Sequence, residues 1–122
     1  MKAFSRVLPG IAALLVAVPA EAGSLQVPQI ETSTPITHTY QCEGGKSLQV
    51  TYWNGSNGQS FALVPVEGKP LLFVDTLAAS GVKYDAGRYT WWTKGNHGDL
   101  YDMMAGPNAP PIIAGCASTP ST

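Results

Sequence analysis

Residues 80–95, SGVKYDAGRYTWWTKG, hold the side chains of this chain best suited to chemistry. They include four aromatics, Tyr84, Tyr89, Trp91 and Trp92, and three of the seven basic residues, Lys83, Arg88 and Lys94. Ser80 stands before a glycine, and so does Lys94. Both read as polar tips on loops, presented at one end of a small β fold. Trp91 and Trp92 are adjacent, so a strand points them to opposite faces. One is core, and the other faces water, a partner or a neighbouring loop. Tyr84 and Tyr89 can each bury a ring while the hydroxyl stays wet.

Signatures of catalysis are missing around this stretch. His38 and His97 are far apart in sequence, and there is no HExxH, G-x-S-x-G or glycine-rich phosphate loop. Asp99 and Asp102 are three apart, which on a strand turns them to opposite sides, and both read as solvated acids. No enzyme activity, cofactor or metal is therefore expected.

The elements that position residues 80–95 read as strands. Leu48, Val50 and Tyr52 alternate with polar neighbours, and Phe61 and Leu63 open a second run. NGSNGQ lies between the two runs, and its Asn-Gly pairs favour the positive φ of a hairpin turn, so Asn54-Gly55-Ser56 is turn chemistry. LLFVD is continuously apolar and suits a strand buried on both faces or a barrel strand. Residues 82–84 and 88–93 read as strands around a three-residue loop, Asp85-Ala86-Gly87. Residues 99–104 and 112–117 supply two more strands. No segment sustains a 3.6-residue apolar period, so the fold class is all-β, a barrel or a sandwich.

At the start of the chain, Lys2 and Arg6 precede an apolar run over residues 7–19, and Ala20-Glu21-Ala22 follows as a small-residue exit. That pattern is a secretory signal peptide over residues 1–22, cleaved after Ala22. The run is too short to span a bilayer, which takes about 20 apolar residues. Removing Lys2, Arg6 and Glu21 leaves five basic residues against seven acidic ones, a net charge of −2. This balance argues against nucleic acid and suits a basic partner. Residues 23–36 read as a flexible leader, 37–117 as the folded domain and 118–122 as a tail.

Export brings oxidising conditions, and Cys42 and Cys116 allow one intramolecular bridge; an intermolecular bridge or two free thiols are the other possibilities. Closing that loop contributes about 4 kcal/mol in the chain-entropy picture.

Ser80-Gly81-x-x-Tyr84, followed by Tyr89-x-Trp91-Trp92-x-Lys94-Gly95, closely resembles the bacterial inhibitors of c-type lysozyme, the membrane-bound inhibitors and their periplasmic relatives. Tyr40-x-Cys42 with the downstream Gly45, the SLQVTYWN strand and the late Cys116 match that family's layout. The resemblance covers roughly residues 37–117. It implies a small eight-stranded antiparallel β-barrel closed by one disulfide, and a partner, c-type lysozyme, whose cleft is entered by a loop. Carried onto this chain, the contact residues are Ser80, Gly81, Tyr84, Lys94 and Gly95. Ser80 would hydrogen-bond the catalytic carboxyls, Lys94 would set its ammonium against acids of the cleft, and Tyr84 would brace the loop and add contact surface. The cysteine that carries lipid in the membrane-bound branch is missing, which points to the soluble periplasmic branch with no stable membrane anchor. The turn from Asn96 to Asp99 would tune the rim of the contact. The alternative from the residues alone is a barrel that binds a small ligand in an apolar cavity behind Trp91 or Trp92; an envelope hydrolase with a dispersed site is a third reading.

The covalent expectation is checked directly: thiol titration of the denatured, unreduced mature protein finds no free thiol, and reduction releases two.

Overall fold

The structure, a computed structural model, describes residues 23–119 together with Gly10. The signal-peptide reading of residues 1–22 thus lies outside the described residues. Eight strands follow in order: β1 (Ile36–Gln41), β2 (Ser47–Asn54), β3 (Ser60–Val66), β4 (Lys69–Thr76), β5 (Val82–Ala86), β6 (Tyr89–Lys94), β7 (His97–Asp102) and β8 (Ile113–Ser118). Each pairs antiparallel with the next, and β8 returns to β1, which closes an up-and-down barrel. Among the described residues, no helix is long and apolar enough to cross a membrane.

Alternation fills the interior. Leu48 and Val50 of β2, Ala62, Val64 and Val66 of β3, and Phe73 of β4 turn inward and are buried. Trp91 sits at the centre with no exposed surface. The Tyr40 ring meets it edge-on at 5.2 Å. The Trp91 Nε1–H donates to Tyr52 Oη at 2.9 Å, and Tyr52 Oη shares a 2.7 Å hydrogen bond with Tyr40 Oη. Gly98 lies against the indole; a Cβ there would come 2.5 Å from Trp91 Cζ2 and Cη2. Phe73, Leu100, Val50 and Val64 pack the remaining interior. An eight-stranded barrel is just wide enough for its own side chains, and among the described residues large buried side chains occupy the interior around Trp91, which argues against the ligand-binding alternative.

Closure is narrow. β1 pairs β2 over six residue pairs, from Ile36↔Tyr52 to Gln41↔Ser47. It pairs β8 over only Tyr40↔Ser118 and Gln41↔Ala117. The Cys42–Cys116 disulfide spans this seam. It ties the residue just after β1 to the middle of β8, so the last strand cannot peel away independently.

Several sequence expectations change in detail. The β5–β6 connection is a two-residue turn, Gly87-Arg88, with Ala86 paired to Tyr89. A three-residue loop over Asp85-Ala86-Gly87 would have paired Tyr84 with Arg88. Gly87 has φ +56°, at the first turn position where glycine is favoured. LLFVD is a barrel strand with one inward row: Phe73 is buried, whereas Leu72 faces out. β7 stops at Asp102, whose side chain accepts from the Met104 N–H at 3.0 Å and caps a short 3-10 turn, Met103–Ala105. Asp102 also takes a two-point contact from Arg88, at 2.8 Å from Nε and 2.6 Å from Nη2, and that hydrogen bonding holds its pKa below the usual carboxylate value. Asp99 accepts the Gly115 N–H at 2.8 Å beside a register shift between β7 and β8. Neither acid is merely solvated. Ser118 belongs to β8 rather than to a tail.

The leader is tied to the barrel along part of its length. Thr32 bridges Gly55, the Ser33 N–H donates to Asn54 O at 2.8 Å, and the Ser56 N–H donates to Glu31 O at 2.8 Å. Leu25, Val27 and Ile30 lie along an outer groove with Trp53, Phe61, Leu63 and Leu72.

The buried phenols make the barrel sensitive to alkali. Burial raises the hydroxyl pKa of Tyr40, Tyr52 and Tyr84; at Tyr52 the hydrogen bond to Tyr40 raises it further. An unfolded tyrosine ionises at about 10. Above that pH the unfolded chain has lost protons that the folded chain still binds, so stability falls as pH rises; below it the contribution is constant. In an alkaline titration, the tyrosinate absorbance of these three residues should appear together with loss of β structure, in one cooperative step above pH about 10.

Candidate functional site

Residues 80–95 form one hairpin, with Ser80, Gly81, Lys94 and Gly95 at one rim of the barrel and the Gly87-Arg88 turn at its other end. The β5–β6 register sets Val82 opposite Thr93, Lys83 opposite Trp92 and Tyr84 opposite Trp91. Trp91 and Tyr84 therefore point inward, and Lys83 and Trp92 outward. Lys94, two residues beyond Trp92, shares its outer face. Gly95 follows with φ +57° and turns the chain into β7.

Gly81 locks this rim. Its φ is +65°, and a Cβ would run into the Thr93 carbonyl oxygen and come 2.8 Å from Lys94 Cγ and 3.1 Å from Trp92 Nε1. Only glycine lets the chain before β5 lie so close to the end of β6. The Trp92 Nε1–H then donates to the Ser80 carbonyl at 2.9 Å. The Thr93 hydroxyl donates to Val82 O at 3.3 Å and adds a second tie. Ser80 and Lys94, fourteen positions apart in sequence, are thereby set on one rim, both exposed.

Trp92 also carries two cations. Lys83 Nζ lies 4.2 Å from the centroid of its ring, and Lys94 Nζ lies 4.5 Å from it. Each contact contributes about 0.5–1 kcal/mol at an exposed site. Among the described residues the one ion pair is Arg88–Asp102, and the Ser80 hydroxyl bonds to none of them, while the Ser80 carbonyl accepts from Trp92. The rim presents a hydroxyl and two ammoniums that have no acid of their own.

Tyr84 is 8% exposed, with its ring tilted against Tyr52 at 5.7 Å. Burial, then the nearby Asp75, raises its hydroxyl pKa. This placement suits bracing from below; only the edge of the residue is left for contact. Beside it the barrel mouth holds a shallow hollow of about 320 Å³, bordered by His38, Tyr40, Tyr52, Thr93 and Asn96. His38, isolated in the sequence, meets Tyr52 edge-on at 5.7 Å. Sequence reasoning missed Lys83 and the role of Trp92. The signal was there in period two: in the correct register Lys83, Trp92 and Lys94 share one outward face.

Among the described residues, no group of three or more His, Cys, Asp or Glu side chains could hold a metal. The rim supplies hydrogen-bond donors and positive charge, the equipment of a binding surface built on a rigid barrel. The family description "membrane-bound lysozyme-inhibitor of c-type lysozyme" matches residues 40–109, more than half of the chain and all of the rim, and the chain belongs to that family. It is similar to the membrane-bound lysozyme inhibitor of C-type lysozyme from Cupriavidus necator, with 49% identity over 81 residues, 66% of this chain and 64% of that protein. The protein of the same name from Pseudomonas aeruginosa is 46% identical over 68 residues, 55% of this chain and 53% of that one. The chain thus spans less than two thirds of the length of either relative. Among solved structures, Pseudomonas aeruginosa MliC in complex with hen egg white lysozyme superposes with a TM-score of 0.63 at 32% identity, over 82% of this chain and 98% of that one. The periplasmic lysozyme inhibitor PliC of Salmonella typhimurium shares the fold, with a TM-score of 0.59 at 22% identity over 73% of this chain and 99% of that one.

Two glycine variants separate backbone strain from close approach. Gly87→Ala meets nothing within 4 Å and bears only the cost of positive φ, about 1–2 kcal/mol. Gly81→Ala bears that cost plus a collision with the end of β6, so urea unfolding should show it to be less stable than Gly87→Ala by a further 1 kcal/mol or more, on the order of an overpacking penalty.

Proposed function

We propose that this chain is a proteinaceous inhibitor of c-type lysozyme, and that Ser80, Gly81, Lys94 and Gly95 form the part that enters the lysozyme cleft. The observation that carries the reading is the rim itself: an exposed serine and an exposed lysine, brought onto one rim through Trp92 and Gly81. Family membership and the likeness to an inhibitor crystallised with hen egg white lysozyme support it.

The chemistry follows from the target. Lysozyme cleaves glycosidic bonds with two carboxyl groups, one protonated and one ionised. The Ser80 hydroxyl can accept from the first and donate to the second. The Lys94 ammonium adds a charge-assisted bond to a carboxylate in a partly desolvated cleft. Gly81 and Gly95 let the backbone approach without side chains in the way. Tyr84 holds the loop from below and contributes its exposed edge. Inhibition is then occlusion of the glycan site with engagement of the catalytic pair, without covalent chemistry and without turnover by the inhibitor. The mature chain's net charge of −2 favours encounter with a basic enzyme.

The location we propose is the periplasm, with export by residues 1–22 and cleavage after Ala22. This part rests on the leader's residues. In that compartment the protein would shield the wall from host lysozyme.

Purified residues 23–122 should block lysis of bacterial walls by a c-type lysozyme. Ser80→Ala and Lys94→Ala should each weaken inhibition by about 10- to 100-fold while the barrel stays folded, as lost bonds of roughly 1–3 kcal/mol imply. Undiminished lysis at a large molar excess of inhibitor would refute the function; full inhibition by both variants would refute the site.

A further inference from the structure

Lys83 lies outside the family-matched set of contact residues, yet it shares the ring that carries Lys94. We infer that the inhibitory rim has a second cation and a keystone: Lys83 reads a carboxylate bordering the lysozyme cleft, and Trp92 is the positioning residue that holds Ser80, Lys83 and Lys94 in one arrangement. The inference rests on the proposed lysozyme-inhibitor function and extends its contact surface along the outer face of β5 and β6.

Three observations carry it. One indole is bound to all three groups, donating its N–H to the Ser80 carbonyl and receiving the two ammoniums at 4.2 and 4.5 Å. Removing the indole would release the loop and both lysines together. A second point is the pairing of charge. The mature chain is net acidic, but its acids near this face have partners other than the two lysines: Asp102 is paired with Arg88, and Asp85, Asp99 and Asp75, still charged, accept from the Thr90 hydroxyl, the Gly115 N–H and the Ser60 N–H. Neither lysine has a carboxylate within ion-pair reach among the described residues. Two like charges gathered on one ring repel, and in the free protein the negative face of the indole, rather than a direct ion pair, is what meets them. A carboxylate brought by a partner relieves it. The third point is shape. Lys83 and Trp92 border one end of an open groove of about 750 Å³ that continues down the outer face past Asp85, Thr90, Tyr101 and Asp102, so the positive charge is gathered at the end nearest the rim. A protein seated on the Ser80–Lys94 rim would overhang that end of the groove and bring the edge of its cleft toward Lys83.

The test uses the mature protein and hen egg white lysozyme as the probe. Affinity is measured by titration at low salt and near physiological ionic strength for the wild type and for Ser80→Ala, Lys83→Gln, Lys94→Gln, Trp92→Leu and the Lys83→Gln/Trp92→Leu double variant. Lys83→Gln keeps its stem on the indole and removes only the charge. It should weaken binding by about tenfold at low salt, and the salt dependence of binding should become shallower, as loss of a facing charge requires. Trp92→Leu should weaken binding more than Lys83→Gln. In the Trp92→Leu background the effect of Lys83→Gln should shrink to twofold or less, because the lysine has lost its position. Unfolding curves for each variant keep folding losses apart from binding losses.

The outcomes are distinct. If the wild type does not bind lysozyme, the functional reading fails and this inference goes with it. If Ser80→Ala and Lys94→Gln weaken binding but Lys83→Gln changes neither affinity nor salt dependence, the inhibitor reading stands and the second cation is overturned. If the Lys83→Gln and Trp92→Leu effects simply add, Trp92 is a packing residue and the keystone is overturned.

Discussion

Strand β1 meets strand β8 through two residue pairs, Tyr40 with Ser118 and Gln41 with Ala117, and the rest of the molecule depends on that seam staying shut. A closed barrel has no free edges, but its closure is only as strong as its weakest strand pair. Here the Cys42–Cys116 bridge lies beside the two pairs and closes a loop of 74 positions. It limits what the unfolded chain can explore and keeps β8 in place while β1 is short of partners. With the seam held, the interior can be packed around a single indole. Trp91 is met by an aromatic edge, a hydroxyl network and a glycine that makes room for it.

Rigidity inside explains placement outside. Because Trp91 is fixed inward, its neighbour Trp92 is fixed outward, and the rim chemistry is arranged around Trp92. A serine carbonyl, two ammonium groups and a close glycine contact all refer to that one side chain. The rim is therefore preorganised rather than assembled on contact. A loop ordered in advance does not give up conformational freedom when it binds, and affinity gains by that amount.

Much of this was legible in the chain. Leu48, Val50 and Tyr52 announced an inward row, and the Asn-Gly turn announced the hairpin that follows it. Two cysteines, read together with an export signal, announced the bridge. Ser80, Gly81, Tyr84, Lys94 and Gly95 were all picked out, and four of the five lie exposed on one rim, with Tyr84 buried beneath it. What failed had identifiable causes. β1 has only His38 and Tyr40 turned inward among polar residues, so ITHTYQ carries too little apolar alternation to read as a strand. The Gly87 turn was read one residue too long, and in a strand pair that slip changes every cross-strand neighbour. Lys83 was therefore never set against Trp92.

The sequence by itself determined the alternation of faces, the approximate places of most turns and the residue types at the rim, because these depend on neighbours a few positions away; with two cysteines it also left one possible intramolecular bridge. It also determined that adjacent tryptophans must part company. Only the tertiary structure decided which tryptophan went inside, because that choice depends on Tyr40, Tyr52 and Gly98, which other strands bring to Trp91. The same holds for the partners of Asp99 and Asp102 and for the meeting of Ser80, Lys83 and Lys94 on one indole. Each of these is a contact between distant positions, and such contacts are set by strand register and barrel closure.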